Sequence, residues 1–548
     1  MPALKRTAVL LLVACFAASA LAAPPPPIKI LPKPPQDLPT RTASQTDLAV
    51  FAWQEFLALN WKAAVDAQHP PSPTNQRGTP DMTWSHSKPV PKYPNPLVWQ
   101  TYAQTTELRP NSPLTIPWAN LGLPKYSYAT VPVPGNGAFN LWNNLDEDNE
   151  IGSCDIYGQY ANQKSPKDLV LFQVKVNRDD YEYIRTTFGA TQNIGPPATP
   201  PNAPCPNGAL LCQAAANTVS NIKTPPYAYY PNATSTCKCP NSAICLPCGV
   251  LPAPNVAGVE GTIEVKSAWR RLLPTENASR FYTTKAIYYD VNSNKQIAYY
   301  NDTFALVGMH IIHKTTNFPD FVFATFEQVD VEKSGSDYVL LVQGASMPTE
   351  TGPPVPIQRQ TTQTNRTQLH PVPAPLDAVT KQIRAQLVAM NPSSVWQYYR
   401  LTGVYGPSTD VPSTPTGSAP NATQNCINNQ DPTLATNTNP NYYMANFMVE
   451  SDPFLNNFTG PGFGNQGNTI FTGGCQNTVY ANAIYNNGGC KGCHGVAQTA
   501  FGTDFSFLLD FGNNKPSIQP ATIHYVPPAV NAAKVKLKHY LDAVGLQP

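Results

Sequence analysis

The chain has 548 residues, a formal net charge of +2 and only 13% charged residues, about half the usual share. Charge this sparse and balanced excludes the strong field that steers nucleic acid or an anionic membrane surface. Hydrophobic residues at 41% suffice for real cores, and the length suits two or three ordinary domains.

In chain order, Lys5 and Arg6 precede an apolar core at residues 7–16 and a small-residue site, Ala20-Leu21-Ala22. This is the pattern of an export signal. The apolar core is too short for a membrane span, which takes about 20 residues. Leu12-Val13-Ala14-Cys15 resembles a lipoprotein processing box, but its apolar core would be short, which favours cleavage near Ala22. The expected location is periplasmic or secreted, with no transmembrane span elsewhere in the chain.

Proline is abundant, 60 residues or about twice ordinary usage, and predicts long loops on compact cores. Residues 23–42 form a Pro-rich linker. Residues 43–400 read as an α+β domain with a Cys-rich insertion at 191–257. Residues 401–474 read as a loop-rich linker, and 475–548, which carry the Cys-x-x-Cys-His run at 490–494, as a C-terminal haem-c segment. The first helix is predicted after Thr46 or Asp47 as cap, with Leu48, Phe51, Trp53, Phe56 and Leu59 on apolar faces. A strand is predicted at 168–176, where apolar residues alternate, and a short helix at 179–188. Five β-prone runs follow at 261–271, 281–290, 303–314, 321–330 and 338–343, with turn residues between them. Their spacing predicts a large antiparallel β region with peripheral helices, arranged as a meander. Helices are expected at 376–390, ending near Asn391-Pro392, at 393–401, and at 528–544.

Of twelve cysteines, Cys15 falls in the leader. Cys237, Cys239, Cys245 and Cys248 crowd together. A four-cysteine metal site is one reading, but a single residue between Cys237 and Cys239 suits zinc poorly. An oxidising compartment favours disulfides instead.

Cys490-Lys491-Gly492-Cys493-His494 carries the clearest chemistry. From 12 Cys and 8 His in 548 residues, chance predicts roughly 0.004 such runs. Two thiols one helical turn apart can bond the vinyl groups of one porphyrin edge, and the adjacent histidine can ligate iron from below. Cys490, Cys493 and His494 are therefore expected to hold a covalent heme c (haem c), with His494 as the metal ligand. No methionine follows the motif, since the last are Met444 and Met448, so the axial methionine of a small electron carrier is missing. Downstream histidines are His524 and His539. Upstream, His310 and His313 lie in one apolar strand, where positions three apart face opposite sides, so at most one can face a haem.

The motif and leader together resemble exported bacterial c-type cytochromes. The motif followed by Asp504-Phe505-Ser506-Phe507 is similar to the end of the cytochrome P460 and cytochrome c′-β families, which implies a haem with an open distal side. Trp53-Gln54-Glu55-Phe56-Leu57-Ala58-Leu59-Asn60-Trp61 and residues 321–329 resemble exported bacterial proteins that end in one haem-c motif. Further pocket candidates are Glu264, Lys266, Trp269, Arg270, His310, His313 and Glu327, with Arg270 or Arg271 shaped for a propionate and Glu327 a proton acceptor. The expected role is electron transfer to or from a periplasmic redox partner. The alternatives are an oxidase- or peroxidase-like haem enzyme acting on a small-molecule substrate, or a gas-binding haem protein.

Overall fold

The computed structural model describes residues 27–40, 43–66, 68–92, 95–108, 112–123, 156–160, 169–192, 194, 205, 209–223, 243–249, 260–270, 272, 276–291, 297–332, 338–342, 356–358, 372–406, 446, 449, 476–480, 483–487, 490, 494–495 and 497–509. The leader, Cys493 and the helix expected at 528–544 lie outside these.

The fold is α+β. Seven strands form one antiparallel sheet: β1 (Ala103–Gln104), β3 (Leu169–Val176), β4 (Ile263–Arg270), β5 (Thr283–Val291), β6 (Ile297–His313), β7 (Val322–Gln328) and β10 (Tyr399–Tyr405). Pairing of β2 (Ile156–Tyr160) with β3 extends it to β8 (Tyr338–Val342) and β9 (Pro356–Gln358). A separate hairpin joins β11 (Gln476–Tyr480) to β12 (Ala483–Asn487).

The expected meander is only partly realised. β6 runs 17 residues, long enough for two partners on one edge. Its first half pairs with β5 and its second half with β4. β8 leaves its predecessor and pairs with β2. Residues 393–401 were expected to be helical. They form a single tight turn at Val395–Tyr398 and then enter β10, which pairs with β7. The sheet therefore continues past residue 400.

Helix α1 (Gln45–Leu59) begins one residue before the expected caps. Ser44 is the N-cap, and it and Asp47 exchange hydrogen bonds as a capping box, which satisfies two orphaned amides. Short helix α2 (Thr105–Leu108) and α3 (Arg178–Ile184) follow. Helix α4 (Leu210–Lys223) lies inside the Cys-rich insertion, where no helix was expected. Helix α5 (Ala374–Met390) turns Leu376, Val379, Ile383 and Leu387 inward, the spacing of an apolar stripe.

Two cores flank the sheet. On one face, α1 and α5 pack over Val265, Met309, Ile311, Phe326 and Leu401. The Phe56 ring stacks on Phe326 with centroids 4.3 Å apart, and the Trp53 indole N–H donates to the Thr380 hydroxyl at 3.1 Å. On the opposite face, α3, α4 and residues 505–509 pack over Ile312, Phe323 and Tyr405. Among the described residues, no helix is long and apolar enough to cross a membrane.

Candidate functional site

The backbone is helical at Cys490 and again at residues 494–495. Cys490 is half-buried and packs on the second core. The His494 ring lies between Phe323 of β7, centroids 5.0 Å apart, and Phe507, 5.2 Å apart. Its Nδ1 is 2.7 Å from the backbone oxygen of Phe505. A carbonyl only accepts, so Nδ1 carries the proton, and a neutral ring then has its lone pair on Nε2. This is the tautomer that a metal-ligating imidazole needs, with the back-side hydrogen bond that fixes ring orientation. His494 is thus in the tautomer that a haem iron would take, while Cys493 lies outside the described residues.

The acceptor carbonyl sits in an unusual turn. Gly502, Asp504 and Phe505 all have positive φ, at 72°, 58° and 57°. For the two non-glycine residues this costs about 1–2 kcal/mol each. Buried contacts offset it. The Asp504 carboxylate forms an ion pair with Lys314, both side chains fully buried, and accepts the Leu246 amide at 2.8 Å. The Thr503 hydroxyl donates to the Ser506 carbonyl at 2.6 Å. The Phe505 ring packs near Phe321, centroids 6.5 Å apart.

Two further carboxyls are buried beside this turn. Burial, with Asp504 and Asp179 nearby, pushes Asp180 up to about 8 against the opposing pull of Lys314. Burial and the neighbouring Asp180 hold Glu264 well above the usual carboxylate range, although Ser506 donates a hydrogen bond to it. Burial lowers the Lys314 pKa, and Asp504 works against that shift. Neither oxygen of Asp180 has a hydrogen-bond partner, as suits a neutral carboxyl in a low-dielectric site. Among the described residues, no group of three or more His, Cys, Asp or Glu side chains is arranged for a metal ion.

The sheet sorts the remaining candidates by face. Register pairs Lys266 and Thr325 with His310, and Glu264 and Phe323 with Ile312. Glu264, Lys266, His310 and Glu327 thus share the face that bears Phe323, on whose ring His494 packs. His313 faces α1 instead. Its Nδ1 is 2.9 Å from the Glu55 carboxylate, both side chains buried, but the pair is poorly aligned for a hydrogen bond and acts as an ion pair. Its Nε2 lies 2.7 Å from the Glu260 carbonyl. Burial opposes the charge on His313, and Glu55 and Glu260 outweigh it, so its pKa is raised. Trp269 joins the first core. Arg270 does not fit the propionate role: its guanidinium is fully buried and forms a two-pronged pair with Glu276 at 2.6 and 2.5 Å. Arg271, His524 and His539 lie outside the described residues.

The Cys-rich insertion contains a disulfide, Cys205–Cys212, and Cys245 and Cys248 are also disulfide-bonded. The four-cysteine metal reading is overturned, because an oxidised sulfur has no thiolate to offer. Sequence reasoning missed Asp180, Lys314 and Arg400, the last 3.8 Å from Glu327. The one available signal was a lysine closing an apolar strand.

No family model, curated protein or solved structure matches the chain.

Proposed function

We propose that this is an exported c-type haem protein that passes single electrons to and from a periplasmic redox partner. Cys490 and Cys493 form the thioethers and His494 is the iron ligand. The observation that carries this reading is the Cys-x-x-Cys-His run whose histidine donates Nδ1–H to the Phe505 carbonyl. Haem c supplies a one-electron ferric–ferrous couple. The chain's own residues orient the imidazole: Phe505 takes its Nδ1 proton, and the Phe323 and Phe507 rings pack on it.

A second reading, an open distal position for catalysis or gas binding, is favoured by the lack of any methionine after Cys490. The ferrous spectrum with and without CO separates the two: a CO shift supports the open site, and an unchanged low-spin spectrum supports electron transfer. The haem itself is tested by acid–acetone extraction of exported protein. Cys490→Ala/Cys493→Ala protein is expected to lose all covalently held colour. Colour that resists extraction in that variant refutes the assignment.

A further inference from the structure

We propose that Asp504, held by the buried Lys314 ammonium, is a positioning residue for the His494 imidazole; the inference rests on the haem reading above. The carbonyl that takes the His494 proton belongs to Phe505, the residue after Asp504. Both residues have left-handed backbone, which non-glycine residues keep only where the surroundings over-determine it.

The Asp504 carboxylate provides the tie to the sheet. It accepts from Lys314, the residue that follows β6, and from the Leu246 amide. Lys314 is itself held at its backbone, donating to Thr262 at 2.9 Å and accepting from Gly249 at 3.2 Å. The path from β6 to the imidazole is therefore short: Lys314 to Asp504, one peptide unit to Phe505, then the carbonyl to Nδ1. A well-aimed acceptor makes the imidazole a stronger donor to iron and favours the ferric state. Loosening the turn then raises the reduction potential.

The test uses the full chain, exported from a host with haem-attachment machinery, with covalent haem per chain and reduction potential as readouts. Lys314→Met/Asp504→Gly removes both ends of the tie together, so neither is left as a buried unpaired charge, and keeps a residue suited to positive φ; Asp320 and Asp180 lose the Lys314 charge that also acts on them, equally in this variant and the next. It also leaves the net charge unchanged, so a long-range charge effect on the haem is small. Lys314→Met/Asp504→Asn keeps a side-chain oxygen for the Leu246 amide. The expected potentials rise in the order wild type, asparagine variant, glycine variant, with covalent haem retained in all three. A glycine variant that keeps its haem at the wild-type potential overturns the positioning role. Where the glycine chain does not accumulate, an asparagine variant at the wild-type potential does the same. Wild-type protein without covalent haem defeats the haem reading itself, a distinct result.

Discussion

His310 and His313 stand on opposite faces of β6, His310 across from Thr325 and His313 against Glu55 of α1. Two histidines three residues apart thus have different neighbourhoods, one on the His494 side and one in the main core. His313→Ala leaves the buried Glu55 carboxylate without its cation, a loss that typically costs about 3–5 kcal/mol. Denaturant unfolding should show that loss, and under the proposed haem reading the visible spectrum of the folded protein should stay unchanged. His310→Ala should cost less stability and alter the visible spectrum. The opposite assignment of effects would refute the sorting of the two faces.

Asp180 makes stability depend on pH in a defined direction. Its folded pKa is raised from 3.8 to about 8, so the fold binds a proton that the unfolded chain releases above pH 3.8. Stability from this group is full at low pH and declines as pH rises from about 4 to 8. Asp180→Asn, which mimics the neutral acid, should raise Tm at pH 8 and leave it nearly unchanged at pH 4. Thermal scans at the two pH values check this, and an equal effect at both would count against a buried, protonated Asp180.

Gly502 joins the His494 segment to α4. It has φ of 72°, and a Cβ there would run into the Ala215 carbonyl of α4. Gly502→Ala is expected to cost about 2 kcal/mol or more, from strain and displaced backbone. Limited proteolysis should then cut around residues 497–509 faster than in wild type, at a similar rate elsewhere.

The disulfides predict a thiol map. Cys205, Cys212, Cys245 and Cys248 should resist alkylation until reduced, and non-reducing peptide mapping should recover the Cys205–Cys212 link. Rapid alkylation of all four in unreduced protein would overturn the oxidised state.

Local patterning made much of the fold legible. The aromatic α1 with its nearby caps, the alternating β3 run, and the core strands β4, β5 and β7 are short-range signals, and they folded within a few residues of expectation, whereas β6 starts six residues earlier than expected, at Ile297. β10 was misread because Val395–Tyr398 turns once before extending, and the neighbouring β7 is remote in sequence. The Cys-x-x-Cys-His run, on which the proposed haem rests, was visible because its spacing is local. Which strand pairs with which, which histidine shares a face with His494, and the burial of Asp180 and Lys314 near Asp504 depend on contacts between residues far apart in the chain. Periodicity assigns side chains to faces of one strand, but only register across the sheet brings those faces together, and only burial decides which charges need a partner.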